Sequence, residues 1–266
     1  MRSDPSDSAA LFEDAASWQA YESNPYIEER TRIVRSMLPA GAQTFLDVGC
    51  GNGILVRALS GERAGIGVDP SLTALRAFEH PRACARGERL PFRKAAVDLV
   101  ICLEVLEHLT TEGLLACASE LSRTTRRWLL VATPEDENPL RNALRCPICG
   151  TVFNRSHHMQ RFDRDRLVRL FPGFELRLLR RGGQPVRAYR AWLLWLRHHL
   201  ARRYYRGPGE THGLCPRCGN REFPRFRSNL RSVLLDAMNR ILSPRRPYWI
   251  LLLLERRSGG SIGGDR

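Results

Sequence analysis

The stretch "TFLDVGCGNGIL", residues 44–55, sets glycine at every second position, Gly49, Gly51 and Gly53, directly after an apolar run ending in Asp47-Val48. The run reads as a strand, and Ile54 to Leu59 as the opening of a helix. Glycines at such a turn let the backbone pass close to a ligand. A dinucleotide fingerprint needs two residues between its last two glycines, and here Asn52 stands alone. A phosphate loop needs a following Gly-Lys-Ser/Thr, which is absent. A backbone cradle with no basic residue suits a zwitterion or a nucleoside better than a polyphosphate.

Outward from this turn, short apolar runs alternate with helical stretches. Ala64 to Val68 reads as a second strand, ending in Asp69. Ser71 to Glu79 reads as a helix that Ser71 caps. Strands follow at Arg82 to Ala85, Val97 to Cys102, Trp128 to Ala132, Phe174 to Leu179 and Tyr248 to Leu254. Helices fall at Glu28 to Leu38, Thr110 to Ser122, Asp163 to Leu170 and Ser228 to Leu242. Apolar strands alternating with helices predict an α/β fold, a doubly wound, mostly parallel sheet covered on both faces. Ligands of such sheets bind at the carboxyl ends of the strands, where the glycine turn lies. A carboxylate at the tip of the second strand, Asp69, is placed to accept ribose hydroxyls. Helix capping is its other reading, and the glycine turn weighs toward ribose.

The chain of 266 residues carries a formal charge of +14, and Lys94 is its one lysine. The arginine excess reads either as an anionic partner, such as nucleic acid or an anionic membrane face, or as compositional bias on a solvated surface. The polar, acidic start "MRSDPSDSAALFED" has no secretory core, and no apolar run is long enough to span a bilayer. A soluble, cytoplasmic protein is expected. Cys50, Cys84, Cys102 and Cys117 are isolated and read as free thiols of an intracellular protein.

"FLDVGCGNG", "GIGVDPS", "ERLPFRKAAVDLVICLEVLEHL" and "LLVATP" follow one another in order and spacing that resemble the motifs of class I S-adenosylmethionine-dependent methyltransferases. The resemblance covers residues 44 to 134 well and continues more weakly through "HMQRFDRDRLVRLFPGFEL", which is similar to the small-molecule branch. It implies a Rossmann-like sheet of seven strands, the last antiparallel. It also implies residue roles. Asp47, Gly49 and Gly51 would surround the methionine part of the cofactor, and Gly53 would open the helix behind. Asp69 would bind the ribose, with Pro70 against the adenine. Gly87, Glu88 and Leu90 would lie near the adenine edge, and Cys102 and Leu103 would border the sulfonium. One departure stands out: Arg86 and Gly87 occupy the place where the family has an acidic residue for the adenine amine.

Methyl transfer from a sulfonium needs alignment and exclusion of water more than acid–base chemistry. A general base serves only a hydroxyl or protonated-amine acceptor. Glu107, His108, His157 and His158 are the candidates on the active edge; the Glu107-His108 pair reads more readily as local packing, and the catalytic expectation rests on His108, His157 and His158.

"CPICG" at Cys146 and Cys149 and "CPRCG" at Cys215 and Cys218 are near copies. Each knuckle points two thiolates at one metal, and together they predict a structural four-thiolate zinc site. The resemblance puts the connections after strands five and six at the same sheet edge. The two knuckles would then meet as a zinc-pinned lid over the acceptor pocket. The expected organisation is an N-terminal helical segment over 1–43 that could cap the substrate, a methyltransferase domain over 44–255 with insertions at 135–160 and 184–227, and a disordered tail over 256–266.

In "AYRAWLLWLRHHLARRYYR", Tyr189, Trp192, Leu193, Leu196 and Leu200 form one helical stripe. Packing on the domain is the expected use, and contact with a membrane surface or amphiphilic substrate the other. The favoured function is a methyltransferase acting on an O or N atom of a small-molecule, sugar or lipid-linked acceptor. An RNA methyltransferase gripping RNA with the lid and arginines is the alternative, and a zinc-stabilised binding module without turnover is the third.

Overall fold

The computed structural model describes residues 13, 25–76, 78–204, 213–223 and 228–258. Its centre is a seven-stranded sheet. The strands are β1 (Thr44–Val48), β2 (Ala64–Asp69), β3 (Arg82–Cys84), β4 (Val97–Leu103), β5 (Thr125–Pro134), β8 (Phe174–Gly182) and β11 (Trp249–Arg256). Their order is β3-β2-β1-β4-β5-β11-β8. The first five pair in parallel. β11 alone runs antiparallel, between β5 and β8. This is the Rossmann-like arrangement expected, including its reversed last strand.

Buried side chains alternate between the two faces, as strand geometry requires. One face packs Val48, Val100, Cys102 and Leu252 against α4 (Thr111–Thr124) and α5 (Arg164–Leu170). The other packs Phe45, Leu99, Ile101 and Leu251 against α1 (Pro25–Met37) and α2 (Ile54–Leu59). α3 (Leu72–Arg76) is shorter than the predicted helix, and Ser71 does cap it, its Oγ accepting from Ala74 N at 3.0 Å. α4 is capped by Thr110 and α5 by Asp163.

Two insertions leave this frame. Between β5 and α5 lie a short 3-10 turn and a hairpin of β6 (Ala143–Arg145) and β7 (Val152–Asn154). Between β8 and β11, β9 (Val186–Arg187) leads into α6 (Ala191–His199), and α7 (Leu230–Leu242) returns through β10 (Arg245–Arg246). The sequence shows neither two-stranded piece, because strands of two or three residues carry no periodicity. The α6 stripe divides. Leu193 is buried against Leu235 of α7, with Tyr189 and Leu196 beside it, whereas Trp192 and Leu200 are exposed. The expectation that the stripe packs on the domain holds for Tyr189, Leu193 and Leu196, which meet α7, and not for Trp192 and Leu200, which face outward. The expected tail starts too early, since Arg256 closes β11 paired with Phe174; residues 259–266 lie outside the described ones. Of the expected N-terminal cap, residues 1–24 apart from Glu13 also lie outside them. Glu13 accepts from Leu72 N and Thr73 N at the start of α3.

The glycine turn has a reason beyond ligand approach. Gly49, Gly51 and Gly53 have φ of 78°, 54° and 77°, a region that disfavours residues with a Cβ. A Cβ on Gly53 would stand 2.0 Å from Phe78 Cδ2, and one on Gly49 2.2 Å from Val105 Cγ2. We expect Gly53→Ala to destabilise the protein by about 2–4 kcal/mol, the left-handed strain adding to the displaced ring. Gly61→Ala, where a Cβ meets nothing within 4 Å, is expected to stay within about 0.5 kcal/mol. Urea midpoints of the two variants check this; equal midpoints would refute it.

Candidate active site

β1 and β2 end together, Val48 beside Val68, and β4 ends beside β1, Val48 beside Cys102. The backbone turns over this edge as Gly49 N and Cys50 N both donate to Val68 O, at 2.8 and 3.0 Å. Asp69 closes the loop from the far side. Its Oδ2 accepts from Gly51 N at 2.8 Å and its Oδ1 from Ser71 N at 2.8 Å. Asp69 thus holds both the glycine turn and the start of α3, which matches its capping reading. Burial raises its pKa, against the pull of these two N–H donors.

Asp47 is fully enclosed beneath the turn. Burial pushes its carboxyl up to about 7, with Arg30 of α1 lowering it and Asp69 raising it. Two buried carboxylates astride a turn of left-handed glycines form a donor set for a ligand carrying positive charge and hydroxyls. S-adenosylmethionine, with its ammonium, sulfonium and ribose, fits that chemistry.

The other residues expected around the cofactor vary in position and exposure. Pro70 is exposed and Leu90 buried. Leu90 N donates to Glu120 Oε2 at 2.7 Å. A Cβ on Gly87 would meet Cys117 Sγ at 2.9 Å, and Glu88 Oε1 lies 3.4 Å from the place of a Cβ on Gly113. The Cys102 side chain turns into the core against Cys117, leaving its backbone at the strand end. Leu103 belongs to the opposite face.

Glu107-His108 lies outside α4. It forms a 3-10 turn over Leu106–His108, and α4 starts only after the Thr110 cap. Glu104 enters this turn with a φ of 57°. Burial drives the Glu107 carboxyl well above its usual range, and Glu104 and Glu137 add to this. Burial likewise pushes Glu104 up to about 7. The three expected histidines separate. His108 and His158 meet edge to face with ring centroids 4.7 Å apart. His158 Nδ1 binds Glu137 Oε2 at 2.6 Å. His157, with a φ of 58°, turns instead to Leu214 O at 2.8 Å through its Nε2. The roles of Glu104, Glu137 and Arg30 carried no signal in the sequence, since single charged residues in loops and helices are ordinary.

Both knuckles arrive at this edge. Trp249, the first residue of β11, faces Pro134 and Gly182, the last residues of β5 and β8. Cys146 Sγ stands 3.5 Å from Cys218 Sγ, and Cys149 Sγ 3.5 Å from Cys215 Sγ. One sulfur from each of the four lies within 4.8 Å of every other. Sulfurs at the corners of a tetrahedral zinc site with bonds of about 2.3 Å are about 3.8 Å apart. Leu144, Phe153 and Phe223 pack around the cluster, and left-handed Gly150 and Gly219 close the two knuckles.

The sheet order and the glycine turn have the fold of class I S-adenosylmethionine-dependent methyltransferases. Residues 46–128 match the family described as "Methyltransferase domain". No curated protein matches the chain. Among solved structures, a SAM-dependent methyltransferase from Archaeoglobus fulgidus is similar at 17% identity and a TM-score of 0.53, over 94% of this chain and 100% of that one. The 1,6-didemethyltoxoflavin-N1-methyltransferase of Burkholderia thailandensis aligns at 11% identity and a TM-score of 0.51, over 91% and 83%. The SpnF cyclase aligns at 15% and 0.51, over 87% and 81%. At these identities the structures speak for the fold.

Proposed function

We propose that this methyltransferase transfers its methyl group to an O or N atom of a small-molecule, sugar or lipid-linked acceptor. The observation that carries the acceptor class is the exposed apolar face of α6 and α7. Trp192, Trp195, Leu234, Met238 and Ile241 are all open to solvent, Ile241 at 83% exposure. Both helices rise from the carboxyl edge where the cofactor carboxylates lie. Such a face suits an amphiphilic acceptor or peripheral contact with a membrane, and no helix among the described residues is long and apolar enough to cross one. Many arginines, in contrast, are engaged with carboxylates. Arg127 and Arg177 share Glu255, Arg161 and Arg246 share Asp136, and Arg181 binds Glu135. That pairing leaves less of a bare basic track than RNA binding uses.

When bound, S-adenosylmethionine supplies a methyl group on a positively charged sulfur, a leaving group that needs no acid. In this reading Asp47 faces the methionine end, Gly49, Gly51 and Gly53 admit it to the backbone, and Asp69 orients the ribose. Pro70, Gly87, Glu88 and Leu90 flank the base, and the ends of Cys102 and Leu103 border the sulfur. His108, His157 and His158 stand on the acceptor side. Cys146, Cys149, Cys215 and Cys218 hold a structural zinc that joins the two insertions into a lid and excludes water.

Three measurements test this. Methyl-labelled S-adenosylmethionine, incubated with the protein and extract of its own cells, should label the lipid or small-molecule fraction; label in RNA overturns the acceptor class, and no label anywhere favours a binding module. Asp47 supplies a pH test. Its raised pKa means that the free protein loses stability as pH rises from about 4 to about 7. A cationic ligand favours the ionised form, so cofactor binding releases a proton below pH 7. The cofactor Kd should weaken about tenfold per unit below pH 7 and level off above it. Asp47→Asn should bind weakly without that slope, as calorimetry would show; a Kd independent of pH in the native protein sinks the role. X-ray absorption should report zinc with sulfur neighbours at about 2.3 Å, lost in Cys146→Ser and Cys215→Ser. Absence of any sulfur-coordinated metal removes the zinc lid.

A further inference from the structure

Glu107 is the anomaly of the molecule. It is 1% exposed, and neither carboxylate oxygen has a hydrogen-bond partner among the described residues. Burying such a group unpaired is unfavourable by several kcal/mol. Its backbone, in contrast, is well held: Glu107 O accepts from both Met159 N, at 2.7 Å, and Gln160 N, at 3.1 Å. This double clip draws the segment after β7 onto the turn after β4 and sets His158 against His108.

One ligand atom each of Glu107, His108 and His158 lies within 4.8 Å of the other two. Atoms on opposite sides of a cation with bonds of about 2.2 Å stand up to about 4.4 Å apart, so the three need only a small closure around one ion. His158 is oriented for it. Glu137 Oε2 takes its Nδ1, and Asn142 Nδ2 in turn holds Glu137 Oε1 at 3.2 Å. The free nitrogen is Nε2. A carboxylate behind a histidine is the usual support of a metal-bound imidazole. Glu104 Oε1 is also buried without a partner, so the region gathers three carboxylates that a dication would offset.

We propose that Glu107, His108 and His158 bind one divalent transition-metal cation, at a site separate from the four cysteines. Two imidazoles and a carboxylate suit Mn²⁺, Fe²⁺, Co²⁺ or Zn²⁺, whereas the four thiolates select zinc. The site adjoins the glycine turn, since Val105 packs against Gly49. A cation there would hold an acceptor hydroxyl and favour loss of its proton to solvent. That use, and with it an oxygen acceptor, rests on the methyl-transfer reading; the cation site itself does not.

The test is a Mn²⁺ titration of the full chain loaded with one zinc per chain and freed of excess zinc, free Mn²⁺ being read by electron paramagnetic resonance. One saturable Mn²⁺ per chain is expected. Glu107→Gln and His158→Gln should each weaken binding at least tenfold, and Glu137→Gln by about 10–100-fold. Glu112→Gln, an exposed acid on α4, should leave it unchanged. Circular dichroism verifies folding, and if Glu107→Gln does not fold, His158→Gln gives the same reading. No saturable uptake, or uptake undiminished in these variants, overturns the site and leaves Glu107 a neutral acid of the core. Mn²⁺ binding that persists while no acceptor is ever labelled would uphold the site and remove only its use in methyl transfer.

Discussion

The antiparallel seating of β11 between β5 and β8 is the constraint on which the active edge depends. Ile250, Leu251, Leu252 and Leu254 are almost wholly buried there, each contributing about 1.5–3 kcal/mol of apolar burial. Because β11 runs against its neighbours, the chain must leave β8 and enter β11 at the edge where β5 also ends. Both insertions therefore leave the sheet at its carboxyl edge, and the first meets the turn after β4. Cysteines 66 residues apart, Cys149 and Cys215, come within sulfur contact for this reason. The joining of the knuckles then reaches further down. Leu214, beside Cys215, receives His157, and the neighbouring His158 is delivered to His108.

The same edge concentrates buried acids. Asp47 and Glu104 are both pushed up to about 7 by burial, and Glu107 well above its usual range. Arg30 of α1 lowers all three, which makes that helix part of the site's electrostatics as well as of its packing. An interior built this way is unfavourable without ligands and gains from positive charge. Asp47 faces the place proposed for a cationic cofactor and Glu107 the place proposed for a dication. The two needs are adjacent but differ in kind, one met by an organic cation and the other by a metal held between imidazoles.

The pair α6 and α7 adds a surface of another character. Leu193 and Leu235 seal the helices to each other, while Tyr189 Oη donates to Asp236 and Arg197 reaches the same carboxylate. What remains outside is largely apolar, with His199, Arg231 and Arg240 set among the apolar side chains. Under the proposed function, that outer face is the part that would meet an amphiphilic acceptor.

Much of the fold was legible in sequence because its signals are local. The glycine turn is written by residues that alone accept φ near 78°, the strands by uninterrupted apolar runs, and the knuckles by two copies of Cys-Pro-x-Cys-Gly. Asp47 and Asp69 could be picked out because strand ends announce themselves. What the sequence could not decide was which distant segments share an edge, and in what direction each side chain points. His157 and His158 are adjacent letters, yet the left-handed backbone at His157 sends one ring to Leu214 and the other to Glu137. Glu107 reads as ordinary packing until its burial and bare carboxylate oxygens are seen. Local conformation follows from residue type; pairing across 50 or more residues follows from the closing of the sheet around β11, and only the tertiary structure contains that.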